Sequence, residues 1–373
     1  MDEEGEGQCG DEFPGQPQTR GSDDRLAVVV AKPRAEAAID ALQAEGVYDP
    51  DRSVREYGDD AVSVPVTAVP ETVSYREVVR QVGEPRLRDL ADHLRERGWT
   101  DAEIARAPSS WAVLGTVVLV EMGDAPRPAE VGEALLALHG EADTVLSRGG
   151  IDGAHREPDV EVVAGEGDTE TVHTEHGTRY AMDLAAVMFS PGNKAERARM
   201  GEAAAAGERV VDMFAGIGYF TLPMARAGAE VTAIERNPTA FRYLLENVRL
   251  NGVADRVRPY RADCRDVLAR AGSTSDGEGP GDGADAAEVA ADRVVMGYYE
   301  AHEYLDAALS ALGPGGVVHL HEATPEALVF DRPVERLRSA ARERGRSVDV
   351  LDARRVKGYS EGVAHVVVDA RVS

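Results

Sequence analysis

The apolar positions of the chain change period several times, and each change predicts an element. A β-branched run at 26–31, closed by Pro33, gives way to an amphipathic stretch at 35–44 and then to an alternating run at 61–69. Period two, then 3.6, then two again predicts strand, helix and strand in a small βαβ-like domain over 25–75. A polar helical stretch at 85–97 follows, then a strand at 112–121, a helix at 128–138 and a strand at 144–147. Gly149, Gly150 and Gly153 mark a loop, and runs at 160–163, 171–176 and 178–183, the last two folded about Gly177, predict a β-meander. Residues 84–194 therefore read as an α+β domain.

From Ala195 onward, strands at 209–213, 230–235, 257–262, 293–296 and 317–322 alternate with helices at 221–227, 238–251, 300–312 and 332–345. Two more strands, 347–356 and 364–371, close the chain. A parallel strand pair needs a long crossover, so this alternation predicts a doubly wound sheet with helices packed on it. The fold class expected is α/β, with a Rossmann-like domain over 195–373 behind small α+β N-terminal domains. The stretch 272–292 is rich in Gly, Ser and Asp without periodicity, and predicts a disordered acidic insertion.

Charge refines this picture at two places. The net charge is -26, yet residues 1–24 hold eight acids and one Arg, and residues 272–292 hold six acids and no base. The first of these predicts an acidic disordered tail. Only three of the 41 basic residues are lysines, Lys32, Lys194 and Lys357, a pattern that points to a halophilic protein. The overall sign opposes general nucleic-acid binding, but local Arg patches can still hold phosphates. No apolar run approaches the ~18 residues of a membrane span, and the N-terminus lacks a secretory h-region, so a cytoplasmic, non-membrane protein is expected. Two cysteines, Cys9 and Cys264, support neither a disulfide framework nor a cysteine metal cluster, and no metal is expected.

Residues 210–218, VVDMFAGIG, run a hydrophobic strand into a glycine turn before a helix. Gly216 and Gly218 let the backbone approach a ligand closely, with helix N-terminal amides nearby. Glu235 ends the next strand, where a carboxylate meets ribose hydroxyls. The dinucleotide fingerprint requires a third glycine where Thr221 stands, whereas SAM enzymes commonly carry an acid before the loop, here Asp212. Asp263 and the amide of Cys264 follow the third strand, in place to read an adenine edge. S-adenosyl-L-methionine (SAM) is the cofactor that this set favours.

Residues 188–200, MFSPGNKAERARM, leading into DMFAGIG at 212–218, resemble two related families of archaeal and eukaryotic tRNA enzymes that act on the purine at position 37. One is the guanine-37 N1-methyltransferase, the other the wyosine-pathway aminocarboxypropyltransferase. The fourth strand of the methyltransferase ends in Asn-apolar-Pro; here residues 294–299 read VVMGYY, followed by His302 and Glu303, which is similar to the aminocarboxypropyltransferase. So are HLHE at 319–322 and LSRGGIDG at 146–153 with REPD at 156–159. The resemblance runs from about residue 85 to the end outside the insertion, while residues 26–69 look like the small first domain of the archaeal methyltransferase.

The resemblance implies transfer of the 3-amino-3-carboxypropyl group of SAM to C7 of 4-demethylwyosine in tRNA(Phe), with methylthioadenosine leaving. The alternatives are a guanine-37 methyltransferase and a SAM-binding subunit without catalysis. The family's SAM contacts fall on Ser190, Arg197, Glu235, Asp263 and the backbone of Cys264. By residue type alone, Ser190 also reads as a helix N-cap before Pro191, and Arg197 as a surface residue. Arg197 is a candidate to hold the substrate carboxylate. C7 must lose a proton, and His302, His321 and Glu322 are the candidate bases. Arg148, Arg156, Arg354, Arg355 and Lys357 are candidates for phosphate contacts, and Tyr298 and Tyr299 for stacking on an extruded purine.

Overall fold

The computed structural model describes residues 25–80, 87–152, 157–271 and 290–373. The tail 1–24, Gly153, Arg156 and nearly all of the 272–292 insertion lie outside the described residues. The chain forms two compact units that divide at Arg88 and Asp89.

The first unit contains β1 (Leu26–Ala31), α1 (Ala35–Glu45), β2 (Arg55–Tyr57), β3 (Ala61–Val66) and β4 (Glu77–Arg80). Its sheet has the order β2-β3-β1-β4 with every pairing antiparallel, so the βαβ-like expectation is corrected. The three-residue β2 is too short to show alternation, yet it forms a hairpin with β3 around Gly58 (φ 67) and sends β3 back against β1. The unit also continues past residue 75 through β4. Val28, Val30, Leu42, Val64 and Val66 form its core.

The second unit begins with α2 (Leu90–Glu96), capped by Asp89, and α3 (Asp101–Ile104), held by a Thr100–Glu103 capping box. The expected single strand over 112–121 is two, β5 (Trp111–Leu114) and β6 (Val117–Val120), because Gly115 turns at φ 58 where a Cβ would collide with Thr171. After α4 (Pro128–Leu138), β7 (Thr144–Asp152) and β8 (Glu157–Gly165) complete a sheet of order β5-β6-β7-β8. Gly149 and Gly150 thus lie inside β7 rather than in a loop. Among the described residues, β9 (Glu170–Glu175) and β10 (Thr178–Asp183) pair only with each other, so the expected meander is reduced to its last two strands.

The remaining elements are α5 (Lys194–Ala203), β11 (Arg209–Asp212), α6 (Thr221–Arg226), β12 (Glu230–Ile234), α7 (Pro238–Leu250), β13 (Val257–Tyr260) and α8 (Cys264–Ala271), then β14 (Ala291–Met296), α9 (Leu305–Ala311), β15 (Leu312–Pro325), α10 (Asp331–Glu343), β16 (Val348–Ser360) and β17 (Val363–Val372). They build a seven-stranded sheet of order β13-β12-β11-β14-β15-β17-β16, in which the first five strands run parallel and β17 is antiparallel to both neighbours. This is the doubly wound sheet expected. Its order reverses between β11 and β14, and at such a switch point the strand ends leave a crevice for ligands.

No break separates residues 84–194 from 195–373 as expected. Tyr180 and Met182 of β10 share one core with Met200, Val210, Leu222 and Leu244. The buried Asn247 of α7 accepts from the Ala181 amide at 2.6 Å and donates to the carbonyls of Ala181 and Ile217, both at 3.0 Å. An unpaired buried amide is costly, so these bonds fix β10 on α7 and make the two parts one body.

Candidate active site

The crevice at the switch point is a cavity whose floor is the 213–220 turn. Asp212 ends β11 but does not line it. Fully buried, its Oδ2 accepts from the Thr221 hydroxyl at 2.7 Å, and burial pushes its carboxyl up to about 6. Asp212 therefore anchors the turn to α6 instead of reaching a ligand, and Thr221 occupies the third-glycine place as its donor. Gly216 lines the cavity at φ 56; Gly218, at φ 105, does not, and a Cβ there would meet Leu222 at 2.8 Å.

Glu235, at the end of β12, lines the cavity with both oxygens held from behind. Oε2 accepts from the Gly216 amide at 2.8 Å and Oε1 from the Asn237 amide at 2.7 Å. Burial raises its pKa and these two amides oppose the shift. Each oxygen retains a second lone pair. Asp263 and Cys264 line the same cavity beyond β13. The Arg265 side chain grips Asp263 at 2.8 and 2.9 Å and lowers its pKa, while burial pushes the Cys264 thiol up to about 12, so it is a neutral wall.

On the opposite wall, Gly297 leaves β14 pressed against Phe220, whose Cε2 would lie 2.7 Å from an added Cβ. Tyr298 packs with Phe214 at 5.2 Å between ring centroids, and Tyr299 meets His365 at 4.8 Å and Tyr359 at 4.6 Å.

Ser190 and Arg197 line the cavity in roles that their residue types alone do not reveal. The Ser190 hydroxyl makes no helix-cap bond; Lys357 of β16 donates to it at 2.5 Å. Arg197 is no surface residue: it is buried, with its fork on Glu175 of β9 at 2.7 and 2.9 Å and its third nitrogen on the Ser190 carbonyl at 2.9 Å. That fork is closed to a substrate carboxylate, which corrects the expectation for Arg197. Burial alone would raise Glu175, but hydrogen bonds from His173 and Arg197 hold it at about 2. Glu175 and His173 carry no motif in the sequence, and only the pairing with a buried arginine reveals them.

Of the three candidate bases, the structure brings one to the cavity. His302 and Glu322 do not line it. Glu322 is fully buried on the other face of β15, accepting from Arg332 at 2.8 Å and Arg336 at 2.6 Å. His321 does line it, together with His365, which the sequence did not single out. Of the arginines expected on phosphate, Arg354 is tied to Glu196 and Asp369, Arg355 pairs with Glu326 on the surface at 2.7 Å, and Arg148 pairs with Glu121. Among the described residues no group of three or more His, Cys, Asp or Glu is placed to hold a metal, and no helix is long and apolar enough to cross a membrane.

The chain is similar in sequence and fold to known proteins. The family described as TRM5/TYW2 methyltransferase domain matches residues 171–351, and the TYW2 N-terminal domain matches residues 90–169. The tRNA(Phe) (4-demethylwyosine(37)-C(7)) aminocarboxypropyltransferase of Pyrococcus horikoshii is 38% identical over 296 residues, covering 78% of this chain and 97% of that protein. The crystal structure of P. horikoshii TYW2 in complex with MeSAdo superposes with a TM-score of 0.62 at 36% identity, over 75% of this chain and 96% of that one. That of Trm5b from Pyrococcus abyssi gives 0.67 at 32% identity, over 93% and 99%.

Proposed function

Because the chain belongs to the TRM5/TYW2 family of tRNA-modifying transferases, we propose that it transfers the 3-amino-3-carboxypropyl group of SAM to C7 of 4-demethylwyosine at position 37 of tRNA(Phe). The family membership rests on the relative that this chain spans almost end to end. SAM supplies an activated γ-carbon beside its sulfonium. The cavity suits it: the Glu235 carboxylate, preset by two amides, offers lone pairs to ribose hydroxyls, and Asp263 offers an acceptor to the adenine amine. Asn193 Oδ1, buried in the cavity wall without a hydrogen-bond partner, matches the α-ammonium. The residues thus hold both ends of the molecule, and holding reacting atoms at near-attack geometry can remove about 7–11 kcal/mol of a barrier.

The observation that favours carbon transfer over methylation of guanine N1 is the exit of β14. Gly297 has no room for a side chain beside Phe220, and Tyr298 and Tyr299 follow it, so no carboxamide stands there to orient a ring nitrogen. Two SAM preparations, labelled in the methyl group or in the carboxyl carbon, test this with tRNA containing 4-demethylwyosine. The carboxyl label is expected in RNA and the methyl label in methylthioadenosine; the reverse would identify a methyltransferase. The reading extends to a cytoplasmic enzyme adapted to salt, and the net charge of -26 with the scarcity of lysine supports the salt adaptation.

A further inference from the structure

His321 on β15 and His365 on β17 meet in the wall of the cavity. β15 and β17 are antiparallel with Ala323 opposite His365, so the two imidazoles stand diagonally on one face of the sheet. Nδ1 of His321 lies 3.1 Å from Nε2 of His365, and both residues are at most 2% exposed. Their outer nitrogens, Nε2 of His321 and Nδ1 of His365, are buried without a hydrogen-bond partner. Two positions back on the same face, His319 engages Asp369 through Nδ1 and Arg293 through its other nitrogen. The sheet therefore satisfies the histidine away from the cavity and leaves the cavity pair unsatisfied. Buried polar atoms of that kind call for a partner that arrives with the substrates.

The single shared hydrogen bond fixes what the pair presents. If His321 donates across it, Nε2 of His321 is a lone pair and Nδ1 of His365 carries a proton; if His365 donates, the roles exchange. In either tautomer one outer nitrogen accepts and the other donates, so a proton taken at one end can be matched by a proton released at the other. Burial first, and then the neighbouring charges, Arg354 among them, hold both rings down at about 3, so the pair is neutral. A neutral pair does not repel a sulfonium.

We propose that the His321–His365 pair is the proton acceptor of the transfer reaction. As the acceptor carbon bonds the γ-carbon, the γ-carbon–sulfur bond breaks and its electron pair stays on sulfur, which leaves as the neutral thioether. The acceptor carbon then holds both its hydrogen and the new substituent in a cationic ring. Its proton passes to the outer nitrogen with the lone pair, and the C–H electrons restore the ring. Such a carbon is a strong acid, so placement of the acceptor matters more than its basicity.

This proposal rests on the carbon-transfer reading, and the test separates the two. His321→Asn and His365→Gln each keep an amide near the shared bond while removing an outer nitrogen. Single-turnover transfer of carboxyl-labelled SAM should fall at least about 10²-fold in each. SAM affinity by calorimetry should be unchanged, and a primary isotope effect with deuterium at the acceptor carbon should emerge that the unaltered protein lacks. Wild-type rates in both variants, or lost SAM affinity without an isotope effect, would overturn the pair's role. If neither variant folds, His321→Ala and His365→Ala are assayed with added imidazole, where recovery supports the role and no recovery overturns it. Entry of methyl label into tRNA with the unaltered protein would instead overturn the carbon-transfer reading.

Discussion

Glu235 does two jobs with one carboxylate, and its replacement should show both. It orders the glycine turn through the Gly216 amide and, in our reading, accepts from ribose. Glu235→Ala should weaken SAM binding by about 1.5–3 kcal/mol, roughly ten- to hundredfold in Kd, while the protein stays folded. Calorimetry giving an unchanged Kd would remove the assignment. The buried groups whose pKa values are lowered set an acid limit, against the opposite contribution of the raised Asp212 and Glu235 carboxyls. His321 and His365 have folded values of about 3, below their ordinary 6.5, so the stability they contribute is present above about 6.5 and is lost as pH falls toward 3. Glu175, lowered from 4.5 to about 2, adds a second loss over that lower interval. Thermal unfolding against pH should therefore decline from about pH 6.5 downward, and His321→Asn combined with His365→Gln should delay the onset. A flat Tm between pH 7 and 5 that does not differ between the two proteins would contradict this account.

At the scale of elements, the sites follow from strand ends and strand faces. The parallel strands were legible because a buried β-branched run and a glycine turn have little other use, and Glu235 and Asp263 fell where strands end. HLHE shows the limit of reading by motif. Successive strand residues face opposite ways, so His319 and His321 point to one side of β15 while Glu322 faces Arg332 and Arg336 on the other. That alternation was readable at residue level; the partner across the sheet, His365, was not, because β17 follows in the chain only after α10 and β16. The pairing of β2 was hidden for a related reason, since so short a strand reveals its partner only in space, whereas the β9–β10 pairing about Gly177 was legible. The β14 exit is the element with the tightest constraint. Gly297→Ala would place a methyl 2.7 Å from the Phe220 ring, a strain of about 1–3 kcal/mol. We expect a lower Tm and slower transfer, both partly restored by Phe220→Leu, and an unchanged Tm would show that the wall yields.

The second unit works as a single body. The expected division near residue 194 failed because β10, far from the glycine motif in sequence, is bonded to α7 and buried in the core under the catalytic sheet. Through Glu175 and Arg197, β9 also holds the segment that carries Ser190, so the N-terminal half of this unit shapes the cavity. Such coupling between distant segments leaves no local signature, whereas the doubly wound order does. The central claim concerns which carbon of SAM this cavity delivers. The most direct measurement is the nucleoside by-product formed in equimolar amount with modified tRNA, separated by chromatography after a single turnover on 4-demethylwyosine-containing tRNA(Phe). Methylthioadenosine, one per modified tRNA, is the predicted result; S-adenosylhomocysteine in its place would contradict it.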